Sequence, residues 1–157
     1  MRLILDTLVA LMLVGILAGL VMHHRQAQDV RAAQDLARDE VRRFQQQIHL
    51  HTALSGGEQR ERGYPVSIEP DWFQGNLPVN PLLGRDHPWL EVAGPGATHA
   101  LHPTDLVAAD RDSASFWYNP ATGVVRARVP VGVSDAQALE LYNYVNDCTL
   151  PTLFPDP

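Results

Sequence analysis

The chain has 157 residues, 45% of them hydrophobic, with a formal net charge of −6 and a single cysteine, Cys148. The acidity argues against a nucleic-acid binder, which needs a basic face. One cysteine excludes both an intramolecular disulfide and a thiolate metal cluster. With an apolar N-terminal stretch set aside, about 135 residues remain, enough for one small domain with a modest core.

That stretch, Leu3 to Met22, reads LILDTLVALMLVGILAGLVM, and Asp6 is its only charged residue. At about 1.5 Å per helical residue it reaches roughly 30 Å, the hydrocarbon thickness of a bilayer. A backbone crossing lipid must satisfy its hydrogen bonds internally. Residues 1–22 are therefore expected to form a transmembrane helix, with Leu3, Leu8, Leu11, Leu13, Gly15, Ile16, Leu17 and Met22 among its spanning residues. The run is longer than a signal-peptide core, and no small-x-small cleavage site precedes His23 and His24, so it is expected to remain as an anchor. A carboxylate in lipid costs several kcal/mol unless it is paired, protonated or near the interface. Asp6 reads either as a tolerated interfacial acid or as one held for a partner, such as the N-terminal amine of a neighbouring subunit. Arg25, Arg31, Arg38 and Arg42 follow the run, against Arg2 before it. Counted alone, these charges favour a cytoplasmic C-terminal domain.

Gly15-Ile16-Leu17-Ala18 follows Asp6 at a recognisable spacing, with Thr7-Leu8-Val9-Ala10-Leu11 between them. In these features roughly the first 25 residues resemble type IV pilins and type II secretion pseudopilins. The family carries an acid at its fifth mature position, a leucine- and valine-rich run, and commonly a Gly-Ile-Leu-Ala. Two features differ from the family pattern. No Gly precedes Arg2, which stands where the family has its methylated residue, and the acid is Asp in place of Glu. The resemblance implies an α+β fold in which a long N-terminal helix packs on a small antiparallel sheet with a proline-rich loop. It also implies a structural filament subunit in the bacterial inner membrane, single-pass, with a periplasmic C-terminal domain. Long domains can translocate regardless of flanking charge. The implied partners are inner-membrane lipid and other pilin-like subunits, with Asp6 serving subunit assembly and no cofactor.

From His23 to about Leu50 the helix is expected to continue, as residues 23–52 outside the membrane. Val21 through Ser55 contains neither Pro nor Gly. Val30, Ala33, Ala37, Val41, Phe44 and Ile48 recur at three- and four-residue steps and make one apolar stripe. Arg31 with Asp35, and Asp39 with Arg43, have the spacing of helical ion pairs. The whole helix is expected to have about 48 residues and a length on the order of 70 Å. The stripe serves either the chain's own sheet or neighbouring subunits.

Gly56-Gly57 is expected to end the helix, and residues 53–150 to form a small α+β domain. Seven of the twelve prolines fall between Tyr64 and Pro103, which marks ordered loop with short strands. Trp72, Phe73, Leu77, Leu82, Leu83 and Trp89 anchor that loop. Trp89–Val92 reads as a first strand. Ser115–Tyr118 and Val124–Val129 read as a hairpin turning through Asn119-Pro120-Ala121-Thr122-Gly123. Alternation of Val125, Ala127 and Val129 with Arg126 and Arg128 suggests one buried face and one wet face. Ser134 with Gln137 forms a capping-box pattern that opens a short helix to about Asn146. Residues 151–157 are expected to be a loosely held tail.

No reactive constellation stands out. His49 and His51 do not share a helical face, and neither they nor His99 and His102 have zinc-site spacing. Some major pseudopilins bind calcium in a C-terminal loop. Asp105, Asp110, Asp112 and Asp135 supply carboxylates here, but without an EF-hand spacing. There is no nucleophile elbow, and Gly94-Pro95-Gly96 lacks the Lys of a phosphate loop. Trp72, Trp89 and Trp117 read as core aromatics before ligand platforms. The expectation is a non-enzyme with no catalytic or metal residues. A single-pass protein carrying a sensory or ligand-binding domain is the alternative.

Overall fold

The computed structural model describes residues 2–54, 60–61 and 63–154, with side chains described at 11–54 and 63–154. Gly56-Gly57 lies outside the described residues. The chain divides into two units, Met1–Ala33 and Gln34–Pro157.

Helix α1 spans Arg2–Leu54 and ends about a turn beyond the expected position. The strands that follow are β1 (Arg60–Glu61), β2 (Tyr64–Pro65), β3 (Leu90–Val92), β4 (Val107–Ala108), β5 (Phe116–Asn119), β6 (Val124–Ala127) and β7 (Val129–Pro130), and helix α2 (Asp135–Val145) closes the order. A 3-10 turn, Pro70–Phe73, lies between β2 and β3.

Within Gln34–Pro157, α1 contributes Ala37, Val41, Phe44 and Ile48, all buried, to a core with Phe116, Tyr118, Val125 and Ala127. The steps of four, three and four place these residues on one face. Phe44 is the hub. Its ring stacks on Trp89 at 5.4 Å and meets Phe73 and Phe116 edge-on at 5.2 and 5.4 Å. The stripe's first member, Val30, is exposed, so burial begins later than the sequence pattern does.

The main sheet has the order β3-β5-β6. The β5–β6 hairpin is antiparallel, with Tyr118 opposite Val125. Its turn needs Gly123, which has φ +71 and no room for a Cβ, since one would lie 2.4 Å from the Tyr64 ring. The antiparallel sheet expected for the whole domain is corrected here: β3 runs parallel to β5, and β4 parallel to β7. The long segment between β3 and β5 brings the chain back in the same direction, which a tight turn cannot do.

The outer edge of β6 is completed by side chains. Gln45 of α1 bonds Val125 and Gly123, and Asn146 accepts from the Ala127 N–H at 2.8 Å and donates to its carbonyl at 2.9 Å. The expected wet face of β6 also needs correction. Arg128 is only 4% exposed. Its guanidinium donates to Glu91 at 2.6 Å and to the carbonyls of Asp105 and Ala114 at 2.8 and 3.1 Å. Each of its three guanidinium nitrogens is bonded, one of them to a carboxylate, which is what makes a buried cation tolerable.

Helix α2 begins as expected, with Ser134 Oγ accepting from the Gln137 N–H. Ala138 and Tyr142 pack with Leu106, Val129 and Leu153 in a second core. Residues 151–157 were expected to be loose, yet Leu153 is buried there, and Asn143 binds both the N–H and the carbonyl of Leu150. Residues 155–157 lie outside the described residues.

Candidate functional site

The first candidate surface is α1 itself. From Leu11, at 69% exposed, to Met22, at 73%, every large apolar side chain is open, including Leu13, Ile16 and Leu17. Burying each such side chain is worth about 1.5–3 kcal/mol, so a stretch like this is stable only against lipid or other protein. Gly15 and Gly19 stand four residues apart, and a Cβ added at either would meet nothing within 4 Å. That small-xxx-small spacing lets a second helix approach closely. The spacing of these two glycines is visible in the sequence itself. Of the expected site residues, Asp6, Leu3 and Leu8 lie outside the described side chains. Among the described residues no helix is long and apolar enough to cross a membrane; side chains are described from Leu11, eight residues into the Leu3–Met22 run.

The second surface lies where α2 ends against α1. Asp147, with φ +48, accepts from Arg38, and from Arg42 at 2.9 Å. Those bonds, Arg38 first, hold its carboxyl below the usual carboxylate range. The Arg38 guanidinium also sits 5.0 Å over the Tyr144 ring, whose hydroxyl donates to Asp35. These ties differ from the helical pairs expected from spacing. Arg43 pairs with Glu40 at 3.1 Å in place of Asp39, and Asp39 lies 3.8 Å from Arg42.

Inside the second core, His102 Nδ1 and the Tyr142 hydroxyl are 3.1 Å apart. Burial, and then the Arg126 cation, push the His102 pKa down to about 4, and burial raises that of Tyr142. Burial also raises the Cys148 thiol, whose Sγ donates to Asn143 Oδ1 at 3.3 Å. Such a thiol is a poor nucleophile.

The other singled-out residues have local duties. His51 stacks on Trp72, His49 bonds Gln45, and Trp89 donates to the Pro78 carbonyl. Trp117 is buried. Asp110 Oδ1 accepts from the N–H groups of Asp112 and Ser113, as a turn acid does. Among the described residues no group of three His, Cys, Asp or Glu is placed to hold a metal ion.

No protein-family model, curated protein or solved structure matches the chain.

Proposed function

We propose that this chain is a pilin-like, pseudopilin-type structural subunit, held in a bacterial inner membrane by Leu3–Met22 with its C-terminal domain in the periplasm. Its work is assembly and not catalysis. One observation carries the reading: a single helix is apolar and open over residues 11–22, yet from Ala37 to Ile48 it is the core element of an α+β domain. A helix with this division of labour holds a folded domain to an apolar phase.

Before incorporation, lipid covers the open stretch; in the filament, like helices replace lipid. Neither environment is more apolar than the other, so association depends on close packing, for which Gly15 and Gly19 leave space. Asp6 neutralises the N-terminal amine of a neighbour and sets axial register, because an unpaired charge there is costly.

Topology is the test. Val133 is 97% exposed, so Val133→Cys in a Cys148→Ser background gives a reporter free of the slow native thiol. Treatment of cells having a permeabilised outer envelope with a membrane-impermeant thiol reagent is expected to label this cysteine. Labelling only after inner-membrane lysis overturns the proposal.

A further inference from the structure

A separate cleft of about 420 Å³ lies on the Gln34–Pro157 unit, between α1 and the loop after the 3-10 turn. Its walls are Arg43 and Gln47, about one helical turn apart, facing Trp72, Phe73, Gln74 and Asn76. We propose that this cleft binds a neutral saccharide chain.

Three features define the ligand. The first is the aromatic wall. The His51 ring lies against Trp72 with centroids 4.1 Å apart and planes 9° from parallel, which fixes the indole and covers one of its faces. Trp72 also packs on the core and lines the cleft with part of its ring, and an electron-rich aromatic surface suits the weakly positive C–H groups of a pyranose. The second is a set of amides. Gln47, Gln74 and Asn76 each present a side-chain carbonyl and NH2, and among the described residues none of the three bonds to the protein. An amide that both donates and accepts matches a hydroxyl, which does the same.

The third is the absence of a free charge at Arg43. Glu40 pairs with it at 3.1 Å, and it donates in addition to the Asn76 carbonyl. A phosphate or carboxylate would have to compete with Glu40 for that guanidinium, whereas a neutral polyol would not. The turn is also built for display. Gln74 and Gly75 hold φ +52 and +81 in succession. Gln74 caps the 3-10 turn in a left-handed conformation that favours Gly, and so carries a side chain at the bend where Gly would carry none. The volume lies within the range of small-ligand sites.

The test uses the full chain in a detergent without a sugar headgroup, with indole nitrogens labelled for NMR. Chitotetraose and maltotetraose are the probes, and inorganic phosphate is the control. One indole signal, assigned to Trp72 by its loss in Trp72→Phe, is expected to shift saturably with at least one saccharide. Half-saturation is expected on the order of 1 mM. Gln47→Ala and Asn76→Ala remove no side-chain bond within the described protein, and each is expected to weaken binding about tenfold, roughly 1.4 kcal/mol. The proposal is overturned by the absence of a saturable shift with either saccharide up to about 20 mM. It is equally overturned by a shift that both alanine variants leave unchanged, or by saturation with phosphate and neither sugar.

Discussion

Gln45 and Val125 are joined as two paired strand residues would be. The Gln45 side-chain carbonyl accepts the Val125 N–H at 3.1 Å, while its NH2 donates to the Gly123 carbonyl at 2.6 Å. One turn of α1 thus stands in for a missing neighbour of β6, and Asn146 does the same at Ala127. A sheet edge left open is a template for unwanted pairing; here two amides occupy it.

Removing either amide leaves backbone groups unpaired, in a buried place at Ala127 and a half-buried one at Gly123 and Val125. Asn146→Ala strips both the N–H and the carbonyl of Ala127, and is expected to cost about 2–4 kcal/mol. Gln45→Ala is expected to cost about 1–2 kcal/mol, because water reaches part of that edge. Denaturant midpoints check both. Equal midpoints for Asn146→Ala and the parent chain would refute the edge-closing role.

Phe44 touches three other aromatic rings and has no exposed surface. Phe44→Ala is expected to cost about 3–5 kcal/mol, partly through the cavity it leaves. Val30→Ala, at an exposed position on the same stripe, is expected to change domain stability by less than about 0.5 kcal/mol. Thermal or urea unfolding of the two variants separates them.

His102 makes the fold sensitive to mild acid. Its folded pKa of about 4, set by burial and then by Arg126, lies below that of an ordinary imidazole, so the unfolded chain takes up a proton that the folded chain refuses. Stability is unaffected above about pH 6.5 and falls as pH drops from there toward 4. His102→Gln keeps a partner for Tyr142 and is expected to flatten that part of the stability profile relative to the parent chain. Parallel profiles would contradict it.

Asp147 acts in the same sense, in a more acidic range. Arg38 and Arg42 depress its pKa, so its contribution is present above the usual carboxylate value near 4 and is lost as pH falls through the depressed one. Asp147→Asn keeps the left-handed backbone and removes the charge. Its destabilisation at pH 7 is expected to shrink in high salt, because the ion pairs are partly exposed.

Much of this architecture is local and was therefore legible. The Pro- and Gly-free run gave α1, the Gly123 turn gave the hairpin, and Ser134 with Gln137 gave the start of α2. What escaped depends on partners distant in sequence. Alternation along β6 says only that Arg128 points away from Val125 and Ala127; it does not say that Glu91 and two carbonyls wait on that side. The parallel placement of β3 is set by the long return path to β5 and not by any signal within Leu90–Val92. The stripe on α1 had two candidate partners, and the Gln34–Pro157 unit accounts for Ala37 through Ile48 alone. The stretch from Leu11 to Met22 is apolar in sequence and exposed in the structure, while Asp6 lies outside the described side chains.

The central claim is that this open stretch packs against other helices in an assembly. Single cysteines scanned through residues 11–22 in a Cys148→Ser background, cross-linked oxidatively in the native membrane, test it most directly. The account predicts covalent adducts, with a second copy or another subunit, recurring every three to four positions and strongest beside Gly15 and Gly19. Monomer alone at every position would contradict it and leave α1 as a simple lipid anchor.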